Sequence, residues 1–174
     1  YKQAISIDDK SNKYIFEEVV KTPNFTPEKV YALYREWFVT TFVNAEAVLQ
    51  MDDKESGVLI GKSFTHIATA GGWFSQQINF TLKIYIREGR FKYVLTDFYL
   101  YTPPSKYIST STTPLEDYDL NNLSSFYNRN GKKNKSRVAL KENFILEFTD
   151  FGEKIKSYIS KIETDLEQNQ QDDW

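Results

Sequence analysis

Residues 76–101 constrain this chain more than any other stretch. Ile78, Phe80, Leu82, Ile84 and Ile86 alternate with Asn79, Thr81, Lys83, Tyr85 and Arg87, the period of a β-strand with one buried face. Glu88-Gly89 follows as a two-residue turn. The return strand then sets Phe91 opposite Ile86, Tyr93 opposite Ile84, Leu95 opposite Leu82, Asp97 opposite Phe80 and Tyr99 opposite Ile78, all on the core face. A hairpin this long with one apolar face needs a second layer to cover it. The same register leaves Tyr85, Lys92, Val94, Thr96, Phe98 and Leu100 on the outer face, which is too apolar toward its far end for a plain solvated surface.

The flanking sequence supplies that layer. Residues 1–12 are polar and aperiodic and read as a flexible N-terminal arm. Residues 13–21 alternate with apolar groups in both phases, as in a strand inside a sheet. Thr26-Pro27-Glu28 is a helix start, with a hydroxyl cap, a proline at the first position and an acid in the first turn. Val30, Leu33, Tyr34 and Trp37 follow at helical spacing, with Tyr31, Phe38 and Phe42 on one flank. The apolar arc covers about half the circumference, wide enough for a sheet and a second helix. Residues 46–53 and 57–69 read as two strands joined by Asp53-Lys54-Glu55-Ser56-Gly57. From Val138 to Gln168, Leu140, Phe144, Phe148, Phe151, Ile155, Ile159, Ile162 and Leu166 step by three or four. Gly152 implies either a bend in one long helix or a handover near Thr149-Asp150.

Between hairpin and last helix, residues 102–137 hold no sustained period, long for a plain connection. Tyr107, Tyr118, Leu120, Leu123, Phe126 and Tyr127 could dock there, through a helical turn at 119–127. The order is strand, helix, four strands, loop, helix. It predicts one α+β domain over 13–168, an antiparallel sheet with two helices packed on one face, and a frayed tail over 169–174.

Composition narrows the function classes. The 174 residues carry 22 Lys+Arg against 24 Asp+Glu, with 16% aromatics, 7 Gly, 5 Pro and no Cys. Thiol catalysis, Cys-ligated zinc and iron–sulfur clusters are excluded. The near-neutral balance and the lack of a basic stripe argue against nucleic acid, and no apolar run is long enough for a membrane helix.

Certain words in the chain resemble a bacterial family of unknown function with a TBP-like fold. They are Glu17-Glu18-Val19-Val20, the helix from Val30 to Phe38, the run Val48-Leu49-Gln50-Met51-Asp52-Asp53-Lys54-Glu55-Ser56-Gly57 continuing to Ile60-Gly61-Lys62, and Gly89-Arg90-Phe91-Lys92-Tyr93 with Thr96-Asp97-Phe98. The resemblance spans about residues 13–166 and implies a β-α-β-β-β-β-α topology. It also implies export to the periplasm or cell envelope, with a signal or lipoprotein segment outside this sequence. It implies no catalytic residue and no cofactor, and the TBP-like label concerns topology, not DNA binding.

The candidate chemistry is thin. His66 has no second histidine to share a metal and reads as a structural or surface residue. Gly57, Gly61 and Gly71-Gly72 make no phosphate loop. Asp52, Asp53 and Glu55 lack the spacing of a calcium loop. Asp97, placed on the core face, needs a partner such as Arg35, a lysine or a helix backbone group. Lys132, Lys133, Lys135, Arg137 and Lys141 read as a solvated basic loop, or else as a patch for an anionic glycan, headgroup or acidic partner. The candidate binding residues are Trp73, Phe74, Tyr85, Val94, Phe98 and Leu100, with Tyr118, Phe126 and Tyr127 from the loop, which either covers the outer face or shares a contact surface with it. The expected function is a non-enzymatic envelope module for a protein or glycan ligand, or a homodimer through the sheet. A carboxylate-dependent hydrolase using Asp97 or the 52–55 acids is the alternative.

Overall fold

The structure, a computed structural model, describes residues 4–42, 48–69, 74–104, 106 and 109–171. Its elements are β1 (Ser6–Ile7), β2 (Tyr14–Lys21), α1 (Pro27–Thr41), β3 (Val48–Asp53), β4 (Val58–Thr69), β5 (Phe74–Arg87), β6 (Arg90–Thr102), β7 (Ser111–Pro114) and α2 (Lys135–Gln171). The strands form one antiparallel sheet in the order β1-β2-β6-β5-β4-β3, and β7 also pairs with β6. The α+β class, the antiparallel sheet and the two helices agree with the sequence pattern. Two short edge strands are additional. Trp73 and Tyr107 lie outside the described residues.

Both helices lie on one face of the sheet. Thr26 caps α1 by accepting from Lys29 N at 3.3 Å, and Val30, Tyr31, Leu33, Tyr34, Trp37 and Phe38 are buried. The broad apolar arc serves two partners, as expected. Tyr34 packs on Phe91 of the sheet at 4.7 Å between ring centroids and on Tyr158 of α2 at 5.8 Å. Its hydroxyl donates to the Ile155 carbonyl at 2.8 Å. The second helix lays Phe144 and Phe148 over β2, β5 and β6, within 4.6–5.9 Å of Phe16, Phe80 and Phe98. Such clusters of large rings dominate a core's apolar burial.

No break occurs at Gly152: α2 runs through it to Gln171. The glycine is there for space. A Cβ at this position would stand 2.5 Å from Tyr93 Oη. Gly61 meets the same need on β4, where a Cβ would fall 2.5 Å from the Phe38 ring.

Three expectations are corrected. Over its described residues, 4–12, the N-terminal stretch is not a loose arm: Ile5 is buried, Ser6 and Ile7 pair with Ile15 and Tyr14, and Ile5 exchanges backbone hydrogen bonds with the Asn121 side chain at 2.9 and 2.7 Å. The 102–137 segment is structured over its described part. It contributes β7 and two 3-10 turns at Leu115–Tyr118 and Leu123–Phe126, and it sinks Leu115, Leu120 and Phe126 into the interior. The Leu120 amide donates to Tyr14 Oη at 2.9 Å, and the Tyr14 amide donates to Glu116 at 2.8 Å. The segment therefore plugs the end of the core between sheet and α2.

The third correction concerns register. From Arg87–Arg90 to Thr81–Thr96 the hairpin pairs as the alternation predicts, then slips, so that Asn79 faces Tyr99 and Ile78 faces Leu100. Asp97 and Phe98 together oppose Phe80, a β-bulge. Asp97 takes a left-handed backbone, φ 54°, which Asp tolerates better than most residues. Every side chain beyond it changes face. Phe98 and Leu100, expected outside, are buried in the core at 1% and 3% exposure. Asp97 and Tyr99, expected inside, stand on the outer face.

Candidate binding site on the open sheet face

The face of the sheet opposite the helices carries side chains at positions set by the register. Near the Glu88-Gly89 turn, Val19, Lys92, Tyr85 and Val58 form one row across β2, β6, β5 and β4. Glu17, Val94, Lys83, Ile60 and Met51 form the next, which reaches β3. Val19, Met51 and Tyr85 are exposed. Lys92 pairs with Glu17 at 2.8 Å, while Arg87 and Arg90 rim a shallow cavity of about 480 Å³ over Val19, Tyr85 and Val94. Tyr85 and Val94 are thus on the face where the sequence put them.

At the other end the bulge opens a cleft of about 630 Å³. Two successive rows build it. In one, Asn79 lies between Phe64 and Tyr99; in the next, Gln77 lies between His66 and Tyr101. Each places an amide between two rings, and the Gln77 amide donates to Asn79 Oδ1 at 2.8 Å. The third row, Lys62–Thr81–Thr96, closes the cleft toward the turn.

Among the described residues Asp97 is the one acid lining this cleft. Lys13 Nζ donates to its carboxylate. Partial burial alone would raise the Asp97 pKa, but the hydrogen bond and charge of Lys13, with Lys83 adding to the field, hold it below the ordinary carboxylate value. The partner required by the sequence reading is therefore a lysine, on the outer face instead of in the core. Asp52 lies elsewhere, bonded to Tyr31 and, at 2.7 Å, to Arg35 Nε. Asp53 caps the hairpin turn by accepting from Ser56 N at 3.0 Å. Asp52, Asp53 and Asp97 thus each have their own donor, and among the described residues no two of the candidate carboxylates line one cleft, as acid–base hydrolysis needs. Among the described residues no three metal-ligating side chains cluster.

A further cavity of about 850 Å³ adjoins the cleft, sharing Gln77 and Tyr101 with it and extending past His66 to Tyr118, Tyr127 and Arg137. His66 is exposed and stands edge-on to Phe64 at 5.6 Å. Arg137 is held over the Tyr118 ring at 5.8 Å and donates to the Ser125 carbonyl at 3.0 Å. Lys141 is buried, its amine 5.6 Å from the centre of the Phe126 ring. Those two residues correct the reading of 132–141 as a solvated basic run.

The nine predicted binding residues therefore divide. Tyr85 and Val94 line the cavity near the turn, and Tyr118 and Tyr127 line the far one. Phe98, Leu100 and Phe126 belong to the core and present nothing to a ligand. Phe74 opens β5, pairing with Thr69, and Trp73 is outside the described residues. The structure adds Lys62, Phe64, Gln77, Asn79, Asp97, Tyr99 and Tyr101. A signal for them was present: buried residues fall at odd positions in Phe91, Tyr93 and Leu95, then at even positions in Phe98 and Leu100, a phase change across Thr96-Asp97 that only an extra residue produces.

Among the described residues no helix is long and apolar enough to cross a membrane. No functionally curated protein matches the chain. Two crystal structures share its fold. One is a TBP-like protein from Parabacteroides distasonis, 11% identical, with a TM-score of 0.64 over 87% of this chain and 95% of that one. The other is a DUF4468 family protein from Bacteroides ovatus, 12% identical, with a TM-score of 0.64 over 88% of each chain. The family model for the domain of unknown function DUF4468, with TBP-like fold, matches residues 16–101, the span from β2 to the end of the cleft-forming hairpin, and in that span the chain belongs to this family.

Proposed function

We propose that this chain is a non-catalytic binding module of the bacterial cell envelope, which takes its ligand on the open face of the sheet. One observation carries the reading. The helices and the 102–137 segment bury one face and one end of the sheet, while the opposite face keeps exposed Val19, Tyr85 and Met51 beside clefts of about 480 and 630 Å³. Apolar groups next to formed concavities and fixed polar groups are the ordinary makings of a contact site. The envelope location follows from the family resemblance, and the two solved relatives come from Parabacteroides and Bacteroides.

Fractionation of cells expressing the full-length protein tests the location, and recovery in the cytosol overturns it. Co-sedimentation with protease-treated envelope tests the face. Wild-type protein pellets, and a Tyr85→Ser/Val94→Thr variant with unchanged melting remains in the supernatant. Equal pelleting of the two, or none, removes the reading. Analytical ultracentrifugation of the same pair covers self-association: a wild-type dimer that the double variant dissolves makes a second copy the occupant of the face.

A further inference from the structure

Resting on that reading, we infer that the cleft beside Asp97 is a binding site for an acidic oligosaccharide. The argument begins with the two rows that build it. Adjacent antiparallel strands lie about 4.8 Å apart, so the rings flanking each amide stand roughly 10 Å apart, and rows on one face repeat about every 7 Å. Phe64–Asn79–Tyr99 and His66–Gln77–Tyr101 thus offer rings and amides on the scale of single sugar units. A pyranose has an apolar C–H face, which rests on an aromatic ring, and an equatorial rim of hydroxyls, each both donor and acceptor. Asn and Gln amides match that rim because one group supplies donor and acceptor together. Phe64, Tyr99 and Tyr101 are half-buried, held on the strands of one sheet with little entropy left to lose.

Length comes from the shared lining. Gln77 and Tyr101 belong both to this cleft and to the adjoining cavity that ends at Arg137. The two together make a groove for several sugar units.

Charge sets the class. Asp97, the one acid of the cleft among the described residues, is already neutralised by Lys13. Among the described residues Lys62 and Lys83 have no ion-pair partner, and Arg137 stands at the far end with its guanidinium bound only to a carbonyl and a ring. Cations at both ends of a groove of neutral donors suit a chain of sugars bearing carboxylates or sulfates. The Asp97 carboxylate still accepts from sugar hydroxyls, and a single-stranded nucleic acid, which stacks on rings of the same kind, is the competing occupant that the test includes.

Isothermal titration with four probes decides: oligogalacturonate, chondroitin sulfate oligosaccharide, neutral cellohexaose and oligothymidylate. At least one acidic saccharide should bind, with cellohexaose and oligothymidylate weaker by about tenfold or more. Lys62→Ala/Lys83→Ala should weaken that binding about tenfold and flatten its salt dependence, and Tyr99→Ala should weaken it by a similar factor at all salt concentrations. Val39→Ser, on the exposed side of α1, should leave it unchanged. Asn79→Ala keeps the test open should Tyr99→Ala not fold. The inference is overturned if neither acidic saccharide binds, if oligothymidylate or cellohexaose binds as well, or if the cleft variants bind like wild type. Should envelope co-sedimentation persist while both acidic saccharides fail, the ligand class falls and the binding-module reading stands.

Discussion

Lys13 and Asp97, 84 residues apart in sequence, meet on the outer face of the sheet where β6 slips out of register. The pair pins the bulge. Lys13 enters from the start of β2, and Asp97 holds the left-handed turn of backbone that sends Phe98 inward. Replacing Asp97 by Asn keeps a side chain that accepts positive φ and removes only the charge. Asp97→Asn should cost about 1 kcal/mol in urea denaturation at neutral pH. Because the folded pKa of Asp97 is lowered, its contribution is complete above the unfolded value near ~3.9 and disappears as pH falls through the folded one. The gap between wild type and variant should therefore close in acid. Deleting Asp97 removes the extra residue itself. Phe98 alone then opposes Phe80 and Leu100 still opposes Ile78, so the strand alternates without a break, both side chains stay on the core face, and a folded protein with one unbroken register is expected.

Gly152→Ala should reverse the usual sign of a helical glycine replacement. Alanine at an unconstrained helix site gains about 1 kcal/mol over glycine. Here the new methyl would lie 2.5 Å from Tyr93 Oη and 3.2 Å from Cζ, forcing the ring or α2 to shift, and a net loss of about 1–3 kcal/mol is expected. Tyr93→Phe removes the nearest atom together with a 3.3 Å hydrogen bond to Glu18. In a double-mutant cycle the alanine should therefore cost less beside Phe than beside Tyr. Additive effects would mean that the contact does not determine the glycine.

The elements of this fold were legible because their signals are local. Strand alternation, the Thr26-Pro27 helix start and the Glu88-Gly89 turn each depend on neighbours within a few residues. The site was less legible because a single inserted residue, with no composition signature, decides which face Phe98 and Tyr99 occupy. Its trace, the switch from odd to even apolar positions, lies in the same strand as the clearest alternation and was overridden by it. Burial of Ile5, Leu115 and Leu120 was illegible for another reason. Their partners, such as Asn121 and Tyr14, are more than a hundred positions distant in sequence, and no period connects segments held by so few side-chain contacts.

Lys141 should be more useful as an apolar residue. Its buried amine lies over the Phe126 ring, no salt bridge reaches it among the described residues, and burial lowers its pKa. A charged lysine held there is penalised relative to the unfolded chain. Between the lowered folded pKa and the unfolded value near ~10.4 the unfolded chain binds more protons, so the Lys141 contribution to stability rises with pH. Lys141→Met keeps the stem's packing and removes the charge. The variant should be more stable at neutral pH by about 1 kcal/mol, and its advantage should shrink as pH rises. An advantage independent of pH would assign the gain to packing.

The Asp52 carboxylate joins α1 to the edge strand β3 by accepting from Tyr31 Oη and Arg35 Nε. Burial, then the hydrogen bond to this carboxylate, pushes the Tyr31 phenol up to about 12. The bonds from Tyr31 and Arg35 in turn hold Asp52 below the ordinary range. Two pH windows follow. The Asp52 contribution is present above the unfolded carboxylate value and lost in acid, while the Tyr31 contribution is present below about 10 and lost as the unfolded chain releases a proton that the folded chain keeps. Asp52→Asn should weaken both. Absorbance titration should show one phenol moving down from about 12, part of the way only, because burial, the larger cause, survives the substitution. Neutral-pH stability should fall by about 1 kcal/mol, limited by the exposure of Arg35. A tyrosine titration curve unchanged in Asp52→Asn would show that burial alone sets the Tyr31 proton affinity.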